Sequence, residues 1–416
     1  MEYGCIGEHL GHSFSKEIHN ASADYDYQLQ ELTPEELKVF MTGKNFKAIN
    51  VTIPYKKNVI PYLYWISDEA KAINAVNTIV NKDGKLYGYN TDFYGLKGLI
   101  QRQNVSVNGK KVAVLGSGGT SNTAFAVAQS MGAVSVLKVS RDKKEGYITY
   151  DELYEGFSDV EILINTTPCG MYPNIGKSAV ELDRLPNVQA VFDAVYNPLS
   201  SKLVLDAKEK GITAVGGLYM LVSQAAYAVE KFIDAPVDAT KVEEIFRNLY
   251  KEKMNIVLIG MPASGKTTVG KALAEKLSKS FVDTDDLIVE TAGKPIPEIF
   301  AESGEKVFRD FESNVIYEVS KDNGKIIATG GGAVLNKNNI NNLKGNGRVY
   351  FINRPLDMLA TTDDRQLSSN RADLEKRDNE RYSLYTEYAD VIIDGSGNVE
   401  EVAKRIEADY FGYTCD

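Results

Sequence analysis

The sequence predicts an α/β fold in which parallel sheets are covered by helices. The first observation behind this prediction is that short apolar segments alternate with amphipathic stretches throughout the chain: KVAVLG, VSVLKVS, EILINTT, AVFDAV, NIVLIG, KIIATGG and RVYFIN. The second is that KVAVLG and NIVLIG run directly into glycine-rich turns, each followed by a helical pattern. Strand–turn–helix units of this kind build parallel sheets and bind phosphates at the turn.

Length, composition and charge restrict the class of protein. The 416 residues suggest roughly three compact lobes, and 43% hydrophobic with 25% charged residues is ordinary for a globular protein. The formal net charge of -10 disfavours nucleic acid or an anionic membrane as a partner. No window approaches the roughly 18 apolar residues of a membrane span, and the first residues lack the apolar segment of a signal peptide. The three cysteines are scattered, so we expect reduced thiols and a cytoplasmic protein.

The first 100 residues hold four polar clusters, which are HSFSKEIHN at 12–20, AINVTIPYK at 48–56, INAVNT at 73–78 and YGYNTDFYG at 87–95. The hydroxyl groups of Ser13 and Ser15 can accept a small anion such as a carboxylate. Lys56 and Asp92 can form an acid–base pair, because each tunes the charge of the other. We therefore interpret residues 1–100 as a substrate-binding lobe.

A dinucleotide site is predicted after the strand KVAVLG. The turn has the pattern G-x-G-x-x-S, and the helix TAFAVAQSMG and the strand VSVLKVS complete a βαβ unit. An NAD enzyme usually has an acidic residue at the end of the second strand, where it binds the ribose. Here Arg141 stands at that position, and its guanidinium suits the 2′-phosphate of NADP. A solvated strand end is the alternative, and Asp142 follows directly. The predicted NADP-binding residues are Gly116, Gly118, Gly119, Thr120, Ser121, Ser140 and Arg141.

These features resemble the shikimate dehydrogenase family over about residues 3–250. The family's elements N-V-T-x-P-x-K, A-V-N-T and N-T-D-x-x-G stand in order here, followed by the glycine turn, NTTPCGM, FDAVYNP and GLYMLVSQAA. The H-S-x-S-P element is present except that Lys16 replaces its proline, which puts the shape of the carboxylate anchor in question. The resemblance implies a Rossmann-type NADP domain at 101–217 and a substrate lobe at 1–100 that is completed by helices at about 218–250.

The resemblance also implies a reaction, which is reversible hydride transfer between NADPH and the ketone of 3-dehydroshikimate. In it, Lys56 and Asp92 form the catalytic pair. The substrate-binding residues that it implies are Ser13 and Ser15 for the carboxylate and Thr52, Asn77 and Gln224 for ring hydroxyls, with Tyr196 nearby.

A boundary is predicted near residues 251–254. The segment VDATKVEEIFRNLYKEK is one amphipathic helix with Val242, Phe246 and Leu249 on one face, together with Ile245. The strand NIVLIG then starts the second half. It leads into GMPASGKT, which fits the phosphate-binding loop G-x-x-x-x-G-K-[ST]. The predicted ATP-binding residues of this loop are Gly260, Ala263, Ser264, Gly265, Lys266, Thr267 and Thr268.

Acidic and glycine-rich elements follow this loop. If Asp283 and Asp285 lie on a strand, their carboxylates point to the same face, where one can serve Mg²⁺ and the other can accept a proton from a substrate hydroxyl. The alternative is a strand-to-helix turn with an aspartate as a cap. The run Gly330–Gly332 lets a substrate approach the backbone closely. TTDDRQLSSNRAD is expected to form a loop that closes over ATP, and Arg381 is expected to begin a tyrosine-rich helix.

Over about residues 254–412 these elements resemble the shikimate kinase family. The elements G-x-x-x-x-G-K-[ST], D-x-D, F-R-x-x-E, G-G-G and R-x-x-x-Y appear in order. The resemblance implies a P-loop domain of the nucleoside-monophosphate-kinase-like type with a parallel sheet at 254–416. It implies shikimate binding by Asp285, Arg309, Gly330, Gly331, Gly332 and Arg381, Mg²⁺ binding by Thr267 and Asp283, and a lid arginine at Arg365. Gln366 replaces the proline that usually follows the lid arginine.

Together the two resemblances predict a bifunctional enzyme of aromatic amino acid biosynthesis with small-molecule substrates. Its first half makes shikimate, and its second half phosphorylates shikimate with Asp285 as proton acceptor and Lys266, Mg²⁺ and Arg365 stabilising the transferred phosphoryl group. One alternative is a quinate/shikimate dehydrogenase joined to another kinase, of the gluconate or nucleotide type. Another is that one half is a catalytically silent binding or regulatory module.

Overall fold

The structure is a computed structural model that describes residues 1–10, 14–359 and 371–415. The chain forms two compact units. The first consists of Met1–Cys169, Ser178–Tyr196 and Asp206–Asn248, and the second of Gly170–Lys177, Asn197–Leu205 and Leu249–Asp416. In the described part of the chain, the strands form two six-stranded sheets and one five-stranded sheet, which confirms the α/β class. No helix among these residues has both the length and the apolar character needed to cross a bilayer.

The first sheet has the strand order β2-β1-β3-β5-β6-β4. It differs from the expected parallel arrangement, since β5 pairs antiparallel with both β3 and β6. The antiparallel β5–β6 pair is made by the hairpin turn Asp83-Gly84, whose positive φ angles of 52° and 80° suit a tight two-residue connection. The elements of this region are β1 Tyr3–Gly7, α1 Ser15–Ser22, β2 Tyr27–Glu31, α2 Pro34–Gly43, β3 Ala48–Val51, β4 Trp65–Ile66, α3 Asp68–Ile73, β5 Thr78–Lys82, β6 Lys85–Tyr89 and α4 Thr91–Arg102.

The second sheet is parallel and has the order β12-β11-β10-β7-β8-β9. The chain leaves the central strand β7 toward β8 and later returns on the other side to β10. A crevice therefore opens between the carboxyl ends of β7 and β10, where this class of sheet binds its ligand. The elements are β7 Lys111–Leu115, α5 Gly119–Ser130, β8 Ser135–Ser140, β9 Ile148–Thr149, α6 Tyr150–Gly156, β10 Ile162–Asn165, β11 Ala190–Asp193, α7 Lys202–Glu209, β12 Thr213–Val215, α8 Leu218–Ile233 and α9 Ala239–Lys253.

The third sheet is also parallel, with the order β14-β15-β13-β16-β17. Its first strand, β13, is central and fully buried, which explains the uninterrupted apolar run NIVLI. The elements are β13 Asn255–Ile259, α10 Lys266–Leu277, β14 Ser280–Asp283, α11 Thr284–Ala292, α12 Ile296–Ser320 with a break in its helical geometry at Gly304, β15 Lys325–Ala328, α13 Lys337–Asn346, β16 Gly347–Asn353, α14 Arg371–Tyr388, β17 Val391–Asp394 and α15 Val399–Gly412.

His19 is a packing group of the first unit. Its ring is buried, stacks on Tyr27 with a centroid distance of 3.9 Å, and its Nδ1 lies 2.7 Å from the hydroxyl of Tyr25. Burial lowers the pKa of His19 to about 3, against the effect of a hydrogen bond with Asn50. The folded state therefore holds the imidazole neutral at pH values where the unfolded chain protonates it.

We expect this burial to make the first unit sensitive to acid. Because the folded pKa is depressed, the stability contributed by neutral His19 is present above the unfolded value near 6.5 and is lost as the pH falls toward 3. Between pH 6.5 and 5 the loss is about 2 kcal/mol of unfolding free energy. Urea unfolding followed by the fluorescence of Trp65, the single tryptophan, should show this loss in the wild type and in the exposed-site control His9→Gln. The variant His19→Phe should lack it, and an equal loss in His19→Phe would contradict the assignment.

Candidate active sites

Lys56 and Asp92 form an ion pair with 2.6 Å between Nζ and Oδ2. Asp92 lies in the first turn of α4, which Asn90 caps through a hydrogen bond from the Phe93 amide to its Oδ1. The positive end of the helix dipole favours a carboxylate at this place. The two side chains are 26% and 17% exposed, so a small substrate can still reach the ammonium group.

An amide and hydroxyl network is centred on Thr91, the residue before Asp92. The Oδ1 atom of Asn77 accepts a hydrogen bond of 2.7 Å from the backbone N–H of Thr91. The Thr91 hydroxyl lies 3.2 Å from Oε1 of Gln224 on α8. A Cβ atom on Gly95 would lie 2.7 Å from Cβ of Gln224, so α4 and α8 can approach this closely only with glycine there. The structure thus brings Asn77 and Gln224 together at Thr91, the residue that precedes Asp92.

The other predicted substrate residues lie at separate points of the first unit. Thr52 directly follows β3, four residues before Lys56, and its amide N–H donates to Ile6. Ser15 is the first residue of α1, and the preceding Phe14 packs on the ring of Tyr196 at 5.6 Å. Burial raises the pKa of Tyr196, which keeps its hydroxyl protonated. Ser13 lies outside the described residues, as does His12.

The glycine turn follows β7 at the edge of the crevice. Gly116 has a φ of 113°, and a Cβ there would lie 2.7 Å from the Thr166 hydroxyl, so this position needs glycine. A Cβ on Gly118 or Gly119 would meet nothing within 4 Å. The N-terminus of α5 is therefore open to a ligand, as a pyrophosphate requires. Thr120 and Ser121 belong to the first turn of this helix.

The end of β8 carries the residues predicted to recognise the ribose. Ser140 is buried and its hydroxyl donates to the carbonyl oxygen of Asp142 at 2.5 Å, whereas Arg141 is exposed. The Nζ atom of Lys144 lies 2.9 Å from the hydroxyl of Ser117 in the glycine turn. This places a second cation at the predicted NADP site, which the sequence analysis had not singled out. The residues present fit a dinucleotide that carries a 2′-phosphate.

The phosphate-binding loop joins β13 to α10. Gly260, Ala263 and Gly265 have φ angles of 146°, 65° and 94°, which bend the backbone around a cavity for phosphates. Lys266 begins α10, and its Nζ donates to the carbonyl oxygens of Gly260 and Met261 at 3.0 and 2.9 Å. Thr268 follows in the same turn, and Ser264 is buried in the loop.

The predicted strand geometry of Asp283 and Asp285 is wrong. The strand β14 ends at Asp283, which caps α11 by accepting the amide N–H of Asp285 at 3.0 Å. The alternative of a capping aspartate is the arrangement found, because only residues up to Asp283 pair with β15. Both residues still line the same pocket.

A divalent cation fits next to this cap. The Thr267 hydroxyl donates to Oδ2 of Asp283 at 2.7 Å, so two oxygen atoms of the type that Mg²⁺ prefers are already adjacent. In the described ranges no three His, Cys, Asp or Glu residues are grouped to hold a metal. Mg²⁺ sites in kinases take one or two protein oxygens and complete their shell with nucleotide phosphates and water.

A pocket of about 400 Å³ opens beside the loop, and it holds the predicted kinase substrate residues together. Arg309 pairs with Glu312 at 2.8 Å and with Glu305 at 3.1 Å. Burial acts to lower the pKa of Arg309, but the two carboxylates outweigh it and the pKa is raised. Burial raises the pKa of Glu312, and Arg309 opposes that effect. The sequence predicted no role for Glu312, although this residue ends the F-R-x-x-E element. The structure shows that Glu312 holds Arg309 in place.

The three glycines of the G-G-G element make room for the site's own side chains. A Cβ on Gly330 would lie 2.5 Å from Oδ1 of Asp285, and one on Gly332 would lie 2.1 Å from Nη1 of Arg309. A Cβ on Gly331 would lie 2.9 Å from Cδ of Pro262. In this structure the space freed by the missing Cβ atoms is therefore filled by protein, and the substrate approaches from the pocket side.

Arg381 faces the same pocket from α14. Its Nη1 donates to the carbonyl oxygen of Gly331 at 3.1 Å, and the hydroxyl of Tyr385 donates to the same oxygen at 2.5 Å, which explains the R-x-x-x-Y spacing. The prediction that Arg381 begins the helix is wrong, because α14 begins at Arg371. Arg365 and Gln366 lie outside the described residues.

The apolar wall of this pocket and one further arginine were missed by the sequence analysis. Val289, Pro295, Ile296, Pro297, Phe300 and Phe308 form that wall. They come from the end of α11 and the first half of α12, where no motif marks them. Arg377 lines the pocket one turn before Arg381, in a stretch, LEKRDNER, that looks like an ordinary charged helix surface.

Fold and sites together define two enzyme classes on one chain. A parallel sheet with a glycine turn at its switch point, together with a lysine–aspartate pair in the same compact unit, defines a dinucleotide-dependent oxidoreductase. A phosphate-binding loop beside a small pocket with two arginines and an aspartate defines a P-loop kinase that acts on a small anionic alcohol.

Comparisons with known proteins identify both parts. Residues 5–79 match the family model for the shikimate dehydrogenase substrate binding domain, and residues 262–410 match that for shikimate kinase. Shikimate dehydrogenase (NADP(+)) of Clostridium perfringens is 41% identical over 265 residues, which cover 59% of this chain and 97% of that protein. The enzyme of the same name from Methanococcus maripaludis is 34% identical over 55% of this chain and 90% of its own length.

Solved structures give the same result for the first part. A chorismate mutase/shikimate 5-dehydrogenase fusion protein from Clostridium acetobutylicum matches with a TM-score of 0.56 and 36% identity, over 59% of this chain and 96% of that one. Shikimate 5-dehydrogenase from Thermus thermophilus, solved with NADP(H) and shikimate, matches with a TM-score of 0.54 and 25% identity, over 60% and 99%. The chain belongs to the shikimate dehydrogenase family and carries a shikimate kinase domain after it.

Proposed function

We propose that this chain carries out two consecutive reactions, the NADPH-dependent reduction of 3-dehydroshikimate to shikimate and the ATP-dependent phosphorylation of shikimate to shikimate 3-phosphate. The observation that carries this proposal is that, among the described residues, the predicted catalytic side chains of each site lie together. Lys56 and Asp92 are paired at 2.6 Å, and the kinase pocket joins Lys266, Asp285 and Arg309. We further propose domain limits of 1–100 with helices at about 218–250, 101–217, and 254–416.

In the reduction, Lys56 stabilises the negative charge that grows on the carbonyl oxygen and then donates a proton to it. Asp92 holds the ammonium group in position, and the N-terminus of α4 holds Asp92. Asn77 and Gln224 orient the ring by its hydroxyls, while Ser13 and Ser15 bind the carboxylate. NADPH supplies the hydride when it is bound at the glycine turn.

In the phosphorylation, Asp285 accepts a hydrogen bond from the 3-hydroxyl of shikimate and takes its proton. Arg309 and Arg381 bind the carboxylate, so the hydroxyl faces the phosphate-binding loop. Lys266 neutralises charge on the transferred group, together with Arg365. Mg²⁺ held by Thr267 and Asp283 would neutralise phosphate charge. The apolar wall excludes water from this geometry.

We expect Arg141→Gln to weaken binding of NADPH but not of NADH. The guanidinium is proposed to form paired charged hydrogen bonds with the 2′-phosphate, which NADH lacks. The KM for NADPH should rise by about 10-fold or more, with the KM for NADH within about twofold. The neighbouring variant Lys143→Gln, whose lysine pairs with Glu152, is the matched control. Equal effects on both cofactors would show that Arg141 does not recognise the 2′-phosphate.

A substrate panel tests the proposed function against its alternatives. We expect oxidation of shikimate with NADP⁺ to exceed that of quinate, and phosphorylation of shikimate to exceed that of gluconate and nucleoside monophosphates. Activity on quinate without activity on shikimate would overturn the first half, and transfer to gluconate or a nucleotide alone would overturn the second. We also propose a cytoplasmic location, small molecules as its substrates, and neither nucleic acid nor membrane as a partner.

A further inference from the structure

Arg377 is a half-buried cation in the wall of the kinase pocket. Its side chain lines the pocket together with Arg309 and Arg381. Within the described ranges its guanidinium forms no hydrogen bond or ion pair. Arg309 in the same pocket differs from Arg377, because it forms ion pairs with Glu305 and Glu312. An arginine with five donors left unused at a pocket surface is unusual for a purely structural residue.

The place of Arg377 on α14 is unfavourable in the absence of a ligand. It precedes Arg381 by four residues, so the two like charges lie on the same face of the helix and repel each other. Burial lowers the pKa of Arg377 and the charge of Arg381 lowers it further, and these two effects outweigh the opposing carboxylates of Asp373, Glu305 and Glu380. Arg381 itself bonds to the Gly331 carbonyl through Nη1, and among the described residues its buried Nε has no hydrogen-bond partner. An anion between the two guanidinium groups would relieve the repulsion and satisfy both sets of donors.

We propose that Arg377 binds the carboxylate of the kinase substrate together with Arg381, and is a specificity-determining residue for acids over neutral alcohols. This inference rests on the proposed function of the pocket. Residues one helical turn apart have Cβ atoms about 5–6 Å from each other, a spacing at which one carboxylate can accept hydrogen bonds from both side chains. Arg309 is already paired with Glu305 and Glu312, so Arg377 strengthens the carboxylate anchor of Arg309 and Arg381 with a guanidinium that has no ion pair among the described residues.

The test compares a charged and a neutral substrate in the full chain. With shikimate and ATP, Arg377→Gln should raise the KM for shikimate about 10-fold or more while kcat and the KM for ATP change by less than about threefold. With the methyl ester of shikimate, which carries no charge, wild type and Arg377→Gln should have the same KM. Lys376→Gln, an exposed neighbour on α14, is the matched control and should behave as wild type with both substrates.

Two results would overturn the inference. One is an unchanged KM for shikimate in Arg377→Gln, and the other is an equal rise for acid and ester, which would mean that Arg377 only packs. Thermal unfolding without substrate separates folding from binding: Arg377→Gln should melt no lower than Lys376→Gln, and a clearly lower melting temperature would also contradict the inference. If the wild type phosphorylates a different hydroxy acid and not shikimate, the proposed function fails. The same acid–ester comparison on that compound still upholds or overturns the arginine anchor.

Discussion

Lys56→Met should lower the rate of 3-dehydroshikimate reduction by about 10²–10⁴ while phosphorylation of shikimate continues at the wild-type rate. Methionine has nearly the length of lysine but neither charge nor proton, so the growing oxyanion loses both its stabilisation and its proton donor. The ion pair with Asp92, at 2.6 Å, is also broken, which leaves that carboxylate facing the substrate. The measurement is NADPH oxidation under saturating substrate, with ADP formation from added shikimate measured in the same preparation.

Lys57→Met is the matched control for this variant. Lys57 is the adjacent residue and is exposed, so it carries the same charge, whereas the ion pair of Asp92 is formed with Lys56. We expect it to retain both activities. Retention of more than about a tenth of the reductase rate in Lys56→Met, against an expected loss of at least 10², would remove Lys56 from the chemistry. So would an equal loss in Lys57→Met, because the effect would then follow from net charge.

Lys266→Met should show the opposite pattern, with a kinase rate lower by about 10²–10³ and an unchanged reductase rate. The ammonium of Lys266 lies at the start of α10 and bonds to the carbonyl oxygens of Gly260 and Met261, within reach of the loop's phosphate cavity. Its removal takes away a charge that the transferred group needs. ADP formation with shikimate reports the loss, and NADPH oxidation reports the unaffected half.

Lys266 also bonds to the backbone of the loop, so Lys266→Met changes the structure of the loop as well as its charge. Two further variants separate these effects. Lys271→Met changes an exposed lysine of the same helix and should leave the kinase rate unchanged. Asp285→Asn keeps the loop intact but removes the proton acceptor, and it should also lose most of the kinase rate. A normal kinase rate in both Lys266→Met and Asp285→Asn would contradict the mechanism. Loss of only the matching activity in each half's variant excludes a silent module.

The local motifs of this protein were predictable because they depend on neighbouring residues. The strand NIVLI is predicted by its apolar run. The loop after it and the turn at Gly116 are predicted by glycines at positions with positive φ angles, which other residues rarely adopt. The buried face of α9 also follows directly from helical spacing, since Val242, Phe246 and Leu249 are buried. The Asp83-Gly84 turn is a sequence signal for a hairpin and therefore for an antiparallel pair in the first sheet. The alternation of strands and helices along the chain favoured parallel sheets instead.

The remaining features depend on contacts between distant segments. The end of β14 is set by its pairing with β15, so whether Asp285 lies on the strand or in the helix is not decided locally. The Arg309–Glu312 pair is local, but the approach of Glu312 to Gly330, where a Cβ would lie 3.0 Å from Oε1 of Glu312, joins segments that are distant in sequence. Arg377 differs from other charged residues of α14 only because that side of the helix faces a pocket. Its spacing of four residues from Arg381 places both arginines on one helix face, but the packing that turns this face toward the pocket cannot be inferred from neighbouring residues.

The central claim is that one chain makes shikimate and then phosphorylates it. The most direct test supplies purified wild-type protein with 3-dehydroshikimate, NADPH, ATP and Mg²⁺ and measures shikimate 3-phosphate. We predict that the product forms with one NADPH oxidised and one ATP consumed for each molecule, that omission of NADPH stops both steps, and that omission of ATP leaves shikimate as the end product. Consumption of NADPH without any shikimate 3-phosphate, or phosphorylation of 3-dehydroshikimate in the absence of NADPH, would contradict it.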